Sequence, residues 1–122
     1  MSGSRMTPIV SNERFTEAWE LLGEGRVVSL RDINHAAAAC YNVTYVDLIS
    51  PRKEHAFFLA RALAIYVAKT VTPYSYPMIG KHMGKKDHST ILRAYRRAQE
   101  IYEDDPHFAN MAENLIARFG NI

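Results

Sequence analysis

Apolar residues recur at three- and four-residue steps along almost the whole chain, the period of helices buried on one face. The longest such stripe is Phe57, Ala60, Leu63, Ala64, Val67, Ala68 and Val71, and it predicts a helix that Pro73 ends. Ile91, Ala94, Tyr95, Ala98, Ile101 and Tyr102 predict a second, and Phe108, Met111, Ala112, Leu115, Ile116 and Phe119 a third, closed by Gly120. Ile33, Ala36, Ala37 and Cys40 predict another upstream, stopped near Asn42, and Phe15, Ala18, Trp19 and Leu22 a short one capped by Asn12 and stopped by Gly23 and Gly25. Helix starts are marked independently. Ser29 with Asp32 and Thr44 with Asp47 have capping-box spacing, the second opening a short turn that ends near Ser50-Pro51. Ser75 caps a short segment with Pro77 in its first turn and Ile79 and Met83 inward, Asp87 caps the next, and Asp105-Pro106 opens the last. The one β candidate, Arg26-Val27-Val28, is too short to build a sheet. The pattern predicts an all-α fold of about seven helices with short connections. Residues 1–28 form an N-terminal extension with one short helix and residues 29–122 the main domain.

Composition narrows the classes. A chain of 122 residues, 48% hydrophobic and 23% charged, suits one globular domain and excludes wholesale disorder. No run approaches the ~18 apolar residues of a membrane span, so no membrane partner is expected. Met1–Pro8 has no apolar stretch behind Arg5 and does not read as a signal peptide. The lone Cys40 excludes an internal disulfide and a multi-cysteine zinc site; it fits a reducing cytosol, and its place beside Ala36 reads as a core thiol. His35, His55, His82, His88 and His107 lack ligand spacing, so no metal is expected. No carboxylate pair or nucleophile set stands out, so the chain is not read as an enzyme, and no cofactor is implied. Gly80–Lys86 resembles a phosphate-binding loop only superficially: the glycine spacing is one residue short and Lys86 stands where Ser or Thr belongs.

Net charge is only +2, but its distribution is uneven. Residues 52–97 hold Arg52, Lys53, Arg61, Lys69, Lys81, Lys85, Lys86, Arg93, Arg96 and Arg97 against Glu54 and Asp87 alone. Such a block is the footprint of a polyanion-binding surface, or else a solvated basic face. Within it, Ser75–Met83 and Asp87–Tyr102 are joined by a tight glycine-containing turn, a helix-turn-helix arrangement. The second helix buries Ile91, Ala94, Tyr95 and Ala98 and presents Lys85, Lys86, His88, Ser89, Thr90, Arg93, Arg96 and Arg97 on its other face and N-terminus. Short polar side chains at a helix start suit close approach to base edges in a major groove, with the helix N-terminus attracting phosphate.

Gly84-Lys85-Lys86-Asp87-His88-Ser89-Thr90-Ile91-Leu92-Arg93-Ala94 resembles the signature of the C-terminal DNA-binding domain of the bacterial replication initiator DnaA, which usually reads Gly-Gly-Arg-Asp-His-Thr-Thr-Val-Leu-His-Ala. Ser75-Tyr76-Pro77-Met78-Ile79-Gly80 is similar to the family's Ser-Leu-Pro-Glu-Ile-Gly, and Tyr45–Ser50 resembles the segment leading into its basic loop. The resemblance covers roughly Asp32 to Phe119. It implies a helical domain with a helix-turn-helix of the DnaA C-terminal or Trp-repressor-like type. It also implies binding of double-stranded DNA at short AT-rich boxes, with Asp87, His88, Ser89 and Thr90 reading the major groove. Asp87 would accept from a cytosine amino group, and His88 would donate without needing protonation. Lys86 replaces the family's arginine, keeping charge and losing the bidentate fork. Arg52 and Lys53 fall in the basic loop and are the minor-groove and phosphate candidates; Arg61 and Lys69 match further basic positions on the long helix.

Departures bear on specificity. The family's Arg-Pro-Arg-Gln reads Leu59-Ala60-Arg61-Ala62, Glu54-His55 dilutes the basic loop, and Arg93 replaces a histidine. The expectation is a DNA-binding domain without the family's ATPase module, cytoplasmic and nucleoid-associated, acting as a monomer per site. It would compete with the full-length initiator at shared sites or regulate transcription near them. The alternative is an adaptor that uses a degenerate helical domain to bind a protein. The first 30 residues lie outside the resemblance; their helix either covers the core or binds a partner.

Overall fold

A computed structural model describes residues 28–120. Six helices occupy them: α1 Leu30–Cys40, α2 Tyr45–Ile49, α3 His55–Val71, α4 Tyr76–Lys81, α5 His88–Asp104 and α6 Pro106–Gly120. No strand occurs among these residues, as the hydrophobic period predicts. The helix expected from Asn12 to Leu22, its stops at Gly23 and Gly25, and almost all of the 1–28 extension lie outside the described residues.

Local chemistry places the helix starts. Ser29 Oγ accepts from the Asp32 amide at 3.2 Å, and Ser75 Oγ from the Met78 amide at 3.3 Å. At α2 the capping box is complete, with Thr44 Oγ1 accepting from Asp47 N–H and the Asp47 carboxylate from Thr44 N–H. Asp105 Oδ1 accepts from the His107 amide at 2.9 Å to start α6. The end of α1 is equally local. Asn42 adopts a φ of 58°, the Asn42 amide donates to Ala39 O and the Val43 amide to Ala38 O, which is the paired hydrogen bonding of a Schellman ending with asparagine in the left-handed position.

Helix α3 is the central element and packs on α1, α2, α5 and α6. Its burial is broader than the predicted stripe. Ala62 and Ile65 are buried as well as Ala60, Leu63, Ala64, Val67 and Ala68, because neighbours cover the helix on nearly all sides. Alanines at these positions let the surrounding helices approach closely, and Leu48, Ile79, Met83, Ile91 and Phe108 fill the space between them. On α1 the inward face is rotated from the expected one: Leu30, Ile33, Asn34, Ala37 and Ala38 are buried, while Ala36 and Cys40 are half-buried. Asn34 is tolerated inside because its Nδ2 donates to the His82 carbonyl at 3.1 Å, tying α1 to the end of α4.

Half-buried tyrosines line the groove between α3 and α5. Tyr66 stacks on Tyr102 with centroids 5.0 Å apart and on Tyr95 at 6.2 Å, and Tyr76 lies 6.1 Å from Tyr95. Tyr102 donates its hydroxyl to Glu113, joining α5 to α6, and that hydrogen bond is the main cause pushing its pKa up to about 12.

Candidate nucleic-acid interface

Helices α4 and α5 and the turn between them form a helix-turn-helix whose turn is built on two glycines. The Gly80 carbonyl accepts from both the Met83 amide at 3.0 Å and the Lys86 amide at 2.9 Å, so the chain folds back across Gly80. A β-carbon there would run into the Lys86 carbonyl oxygen and reach within 3.2 Å of Ile91 Cγ1. Gly84 adopts a φ of 79° and Lys85 of 61°, two consecutive left-handed residues that reverse the chain before α5. A β-carbon on Gly84 would overlap the Ile49 carbonyl oxygen, so the turn packs directly on the end of α2. Gly80–Lys86 is thus the last turn of α4 and the connection to α5, not a phosphate-binding loop following a strand.

Asp87 caps α5. Its Oδ2 accepts from the Ser89 amide at 3.0 Å and from the Ser89 hydroxyl at 2.7 Å, and the hydroxyl bond is the largest cause holding the Asp87 carboxyl below its usual range. The cap therefore stays ionised as pH falls toward the ordinary carboxylate range, and loses its charge only below it. Asp87 Oδ1 lies 3.8 Å from His88 Nδ1. The His88 side chain is 64% exposed, and Thr90, Arg93, Arg96 and Lys85 are exposed with it. Arg97 is also exposed and pairs with Glu100 at 2.8 Å. The outward tip of α5 is thus His88 and Thr90, flanked by cations and by the inherent positive end of the helix dipole.

The basic loop lies beside this tip. Arg61 is only 7% exposed. Its Nε donates to Leu48 O at 2.6 Å, and its Nη2 to Asp47 O at 3.1 Å and Ser50 O at 2.8 Å. Lys86 Nζ reaches the same segment from the other side, donating to Ser50 O at 3.0 Å, Ile49 O at 3.4 Å and Met83 O at 3.0 Å. Burial, and secondarily Arg61, pulls the Lys86 pKa down. From Ser50 the chain continues into Pro51, Arg52 and Lys53, which are exposed. Arg52 pairs with Glu54 and lies 5.3 Å from the Phe57 ring centroid.

The structure therefore divides the residues singled out in the sequence. Arg52, Lys53, Lys85, Asp87, His88, Thr90, Arg93, Arg96 and Arg97 are solvent-exposed around α5 and the adjoining loop. Ser89 is half-buried and spends its hydroxyl on the cap. Arg61, which is buried, and Lys86, which is half-buried, donate to backbone carbonyls at the end of α2 and, for Lys86, of Met83. Lys69 Nζ sits 4.3 Å from the Tyr76 ring centroid and 3.3 Å from Tyr74 O, bracing the start of α4. Gly80, Gly84, Asn34 and Ser50 were not among the expected residues. Their Gly-x-x-x-Gly and Ile-Ser-Pro contexts mark turns, but the partners they meet are distant in sequence. Among the described residues no group of three potential metal ligands is present, and no helix is long and apolar enough to cross a membrane.

A short glycine-hinged helix followed by a long helix with a polar, cation-flanked start defines a helix-turn-helix domain. Residues 30–98 match the family model for the bacterial dnaA protein helix-turn-helix, and the chain belongs to that family. It is 37% identical over 111 residues to the chromosomal replication initiator protein DnaA of Rhizobium johnstonii, an alignment covering 88% of this chain and 23% of that protein. It is 38% identical over 98 residues to the DnaA of Bartonella quintana, covering 80% of this chain and 20% of that protein. The chain thus spans roughly a fifth of the length of these relatives.

Proposed function

We propose that this domain binds duplex DNA at DnaA-box-like sites, inserting the start of α5 into the major groove and reaching the adjacent minor groove with Arg52 and Lys53. The observation that carries the reading is the exposure of His88 and Thr90 at the positive end of α5, with the exposed Arg52-Lys53 loop beside it. An imidazole donates to purine or pyrimidine acceptors, and the Thr90 methyl suits a thymine methyl. Asp87 Oδ1, which the cap does not use, accepts from a cytosine amino group while Oδ2 keeps the cap. Lys85, Arg93, Arg96 and Arg97 supply phosphate neutralisation on either side. One domain occupies one site as a monomer, because both readers belong to the same chain. In the cell the domain acts at the nucleoid, competing with the full-length initiator at shared sites or regulating transcription near them.

A fluorescence-anisotropy titration against a box-containing and a scrambled duplex tests this. The box duplex is expected to bind more tightly, with log K falling against log salt at a slope of about −5 if roughly six phosphates are contacted. His88→Ala and Thr90→Ala are each expected to cost about 1–3 kcal/mol on the box and to relax base preference, while Lys85→Ala or Arg96→Ala weakens both duplexes alike. Equal, salt-independent affinity for both duplexes contradicts the reading and favours a protein-binding adaptor.

A further inference from the structure

Two cations converge on one backbone carbonyl in this domain, and that carbonyl sits at the entrance to the basic loop. Ser50 O accepts from Arg61 Nη2 at 2.8 Å and from Lys86 Nζ at 3.0 Å. Arg61 is rooted in α3, and Lys86 immediately precedes the cap of α5. Further bonds continue the link into the loop: the Ser50 hydroxyl donates to Asp47 O at 2.7 Å, and the Arg52 amide donates back to that hydroxyl at 3.2 Å. The arginines Arg52 and Arg61 both lie against the Phe57 ring, at 5.3 and 6.0 Å from its centroid. Bringing two like charges to one oxygen is electrostatically unfavourable, and burial first and Arg61 second pull the Lys86 pKa down. The carbonyls of Ile49, Ser50, Met83, Leu48 and Asp47 offset that cost only while the loop, the turn and α3 keep this arrangement.

We propose that Lys86 and Arg61 are positioning residues that clamp the basic loop to the helix-turn-helix, so that Arg52-Lys53 and His88-Thr90 meet DNA as one rigid reader. In this arrangement Lys86 neutralises no phosphate, although its place in the sequence suggests that it would. The proposal rests on the DNA-binding reading above. It adds that specificity depends on a fixed separation between two readers, set by a cation that touches neither groove.

The test has two arms on the full 122-residue chain, using Lys86→Met, which keeps the unbranched stem, one atom shorter, and removes its donors. In the free protein, backbone 15N relaxation is expected to show residues 52–54 as ordered as the helices. Lys86→Met is expected to lower their order parameters below about 0.6 while leaving α6 unchanged. Unchanged order in the loop overturns the clamp, whether or not the protein binds DNA. In the second arm, Lys86→Met is expected to reduce the preference for the box duplex about tenfold with the salt slope unchanged. Lys53→Ala lowers the slope magnitude by about one, and it costs less affinity in the Lys86→Met background than in the wild type. A salt slope that drops by about one for Lys86→Met, with box preference intact, makes Lys86 a phosphate contact and overturns the proposal. Failure of the wild-type chain to distinguish the duplexes removes the DNA-binding reading, and the relaxation arm still decides the clamp. Should Lys86→Met fold poorly, Lys86→Gln, which retains two N–H donors at shorter reach, is measured in both arms and read by the same criteria.

Discussion

Gly84→Ala is expected to lower the thermal midpoint of the free domain by roughly 10–20 °C. Two costs add at this position. The φ of 79° is one that a β-carbon disfavours by about 1 kcal/mol. The new carbon also overlaps the Ile49 carbonyl oxygen, and relieving a backbone clash of this kind costs about 1–3 kcal/mol. The obstructing atom is main chain and cannot swing aside as a flexible side chain would. Retreat of the turn from α2 stretches the Lys86 hydrogen bonds to Ile49 O and Ser50 O as well. At about 4–8 °C per kcal/mol for a domain of this size, the sum is readily seen by circular dichroism. A drop of only a few degrees leaves the φ cost alone and denies the close approach of the turn to α2.

Arg61→Met is expected to cost about 2–3 kcal/mol of folding stability while changing the salt slope of DNA binding little. Arg61 is 7% exposed, and its guanidinium serves three carbonyl oxygens. Methionine fills much of the volume and provides no donor, so Leu48 O loses its guanidinium partner and pays part of a desolvation penalty. Asp47 O keeps the Ser50 hydroxyl, and Ser50 O keeps Lys86, so the loss stays below that of three orphaned acceptors. Urea titration measures the stability change. A variant as stable as the wild type that binds every duplex more weakly, with a salt slope reduced by about one, returns Arg61 to the DNA surface where its position in the sequence first put it.

Arg61 and Lys86 mark the limit of what is legible in the sequence. Helix starts at Ser29, Thr44, Ser75 and Asp87 are legible because a cap is satisfied two or three residues away by chemistry written into the same short segment. The exposed tip of α5 is legible for the same reason: amphipathic period and cap together settle which way His88 and Thr90 face. Arg61 is different. It falls among apolar neighbours in a basic block, and only the fold brings Leu48, Asp47 and Ser50 to it. Lys86 is read as one more cation beside the recognition helix until its distance to Ser50 O, thirty-six residues back along the chain, is known. The hydrophobic period does not predict burial of Ala62 and Ile65, because it marks one buried face, whereas α3 is enclosed by α1, α2, α5 and α6. Asn34 looks like a surface residue by type, and its burial depends on the His82 carbonyl that α4 presents to it.

The family signature adds what periodicity lacks, and the structure in turn separates residues that the signature treats alike. Among the cations of the basic block, Arg52, Lys53, Lys85, Arg93 and Arg96 face solvent, while Arg61 and Lys86 donate to carbonyls of this chain. The expected consequence is division of labour: exposed cations set affinity and its salt dependence, His88 and Thr90 set base preference, and Arg61 with Lys86 sets the geometry that lets both operate together.

Backbone amide chemical-shift mapping of the 15N-labelled chain on addition of a box duplex addresses this most directly. The predicted result is simultaneous perturbation of Lys85–Thr90 and of Arg52–Glu54, saturating together at one duplex per chain, with the tyrosine-lined groove between α3 and α5 unaffected. Perturbation confined to that groove, or of the basic loop without the start of α5, contradicts the account.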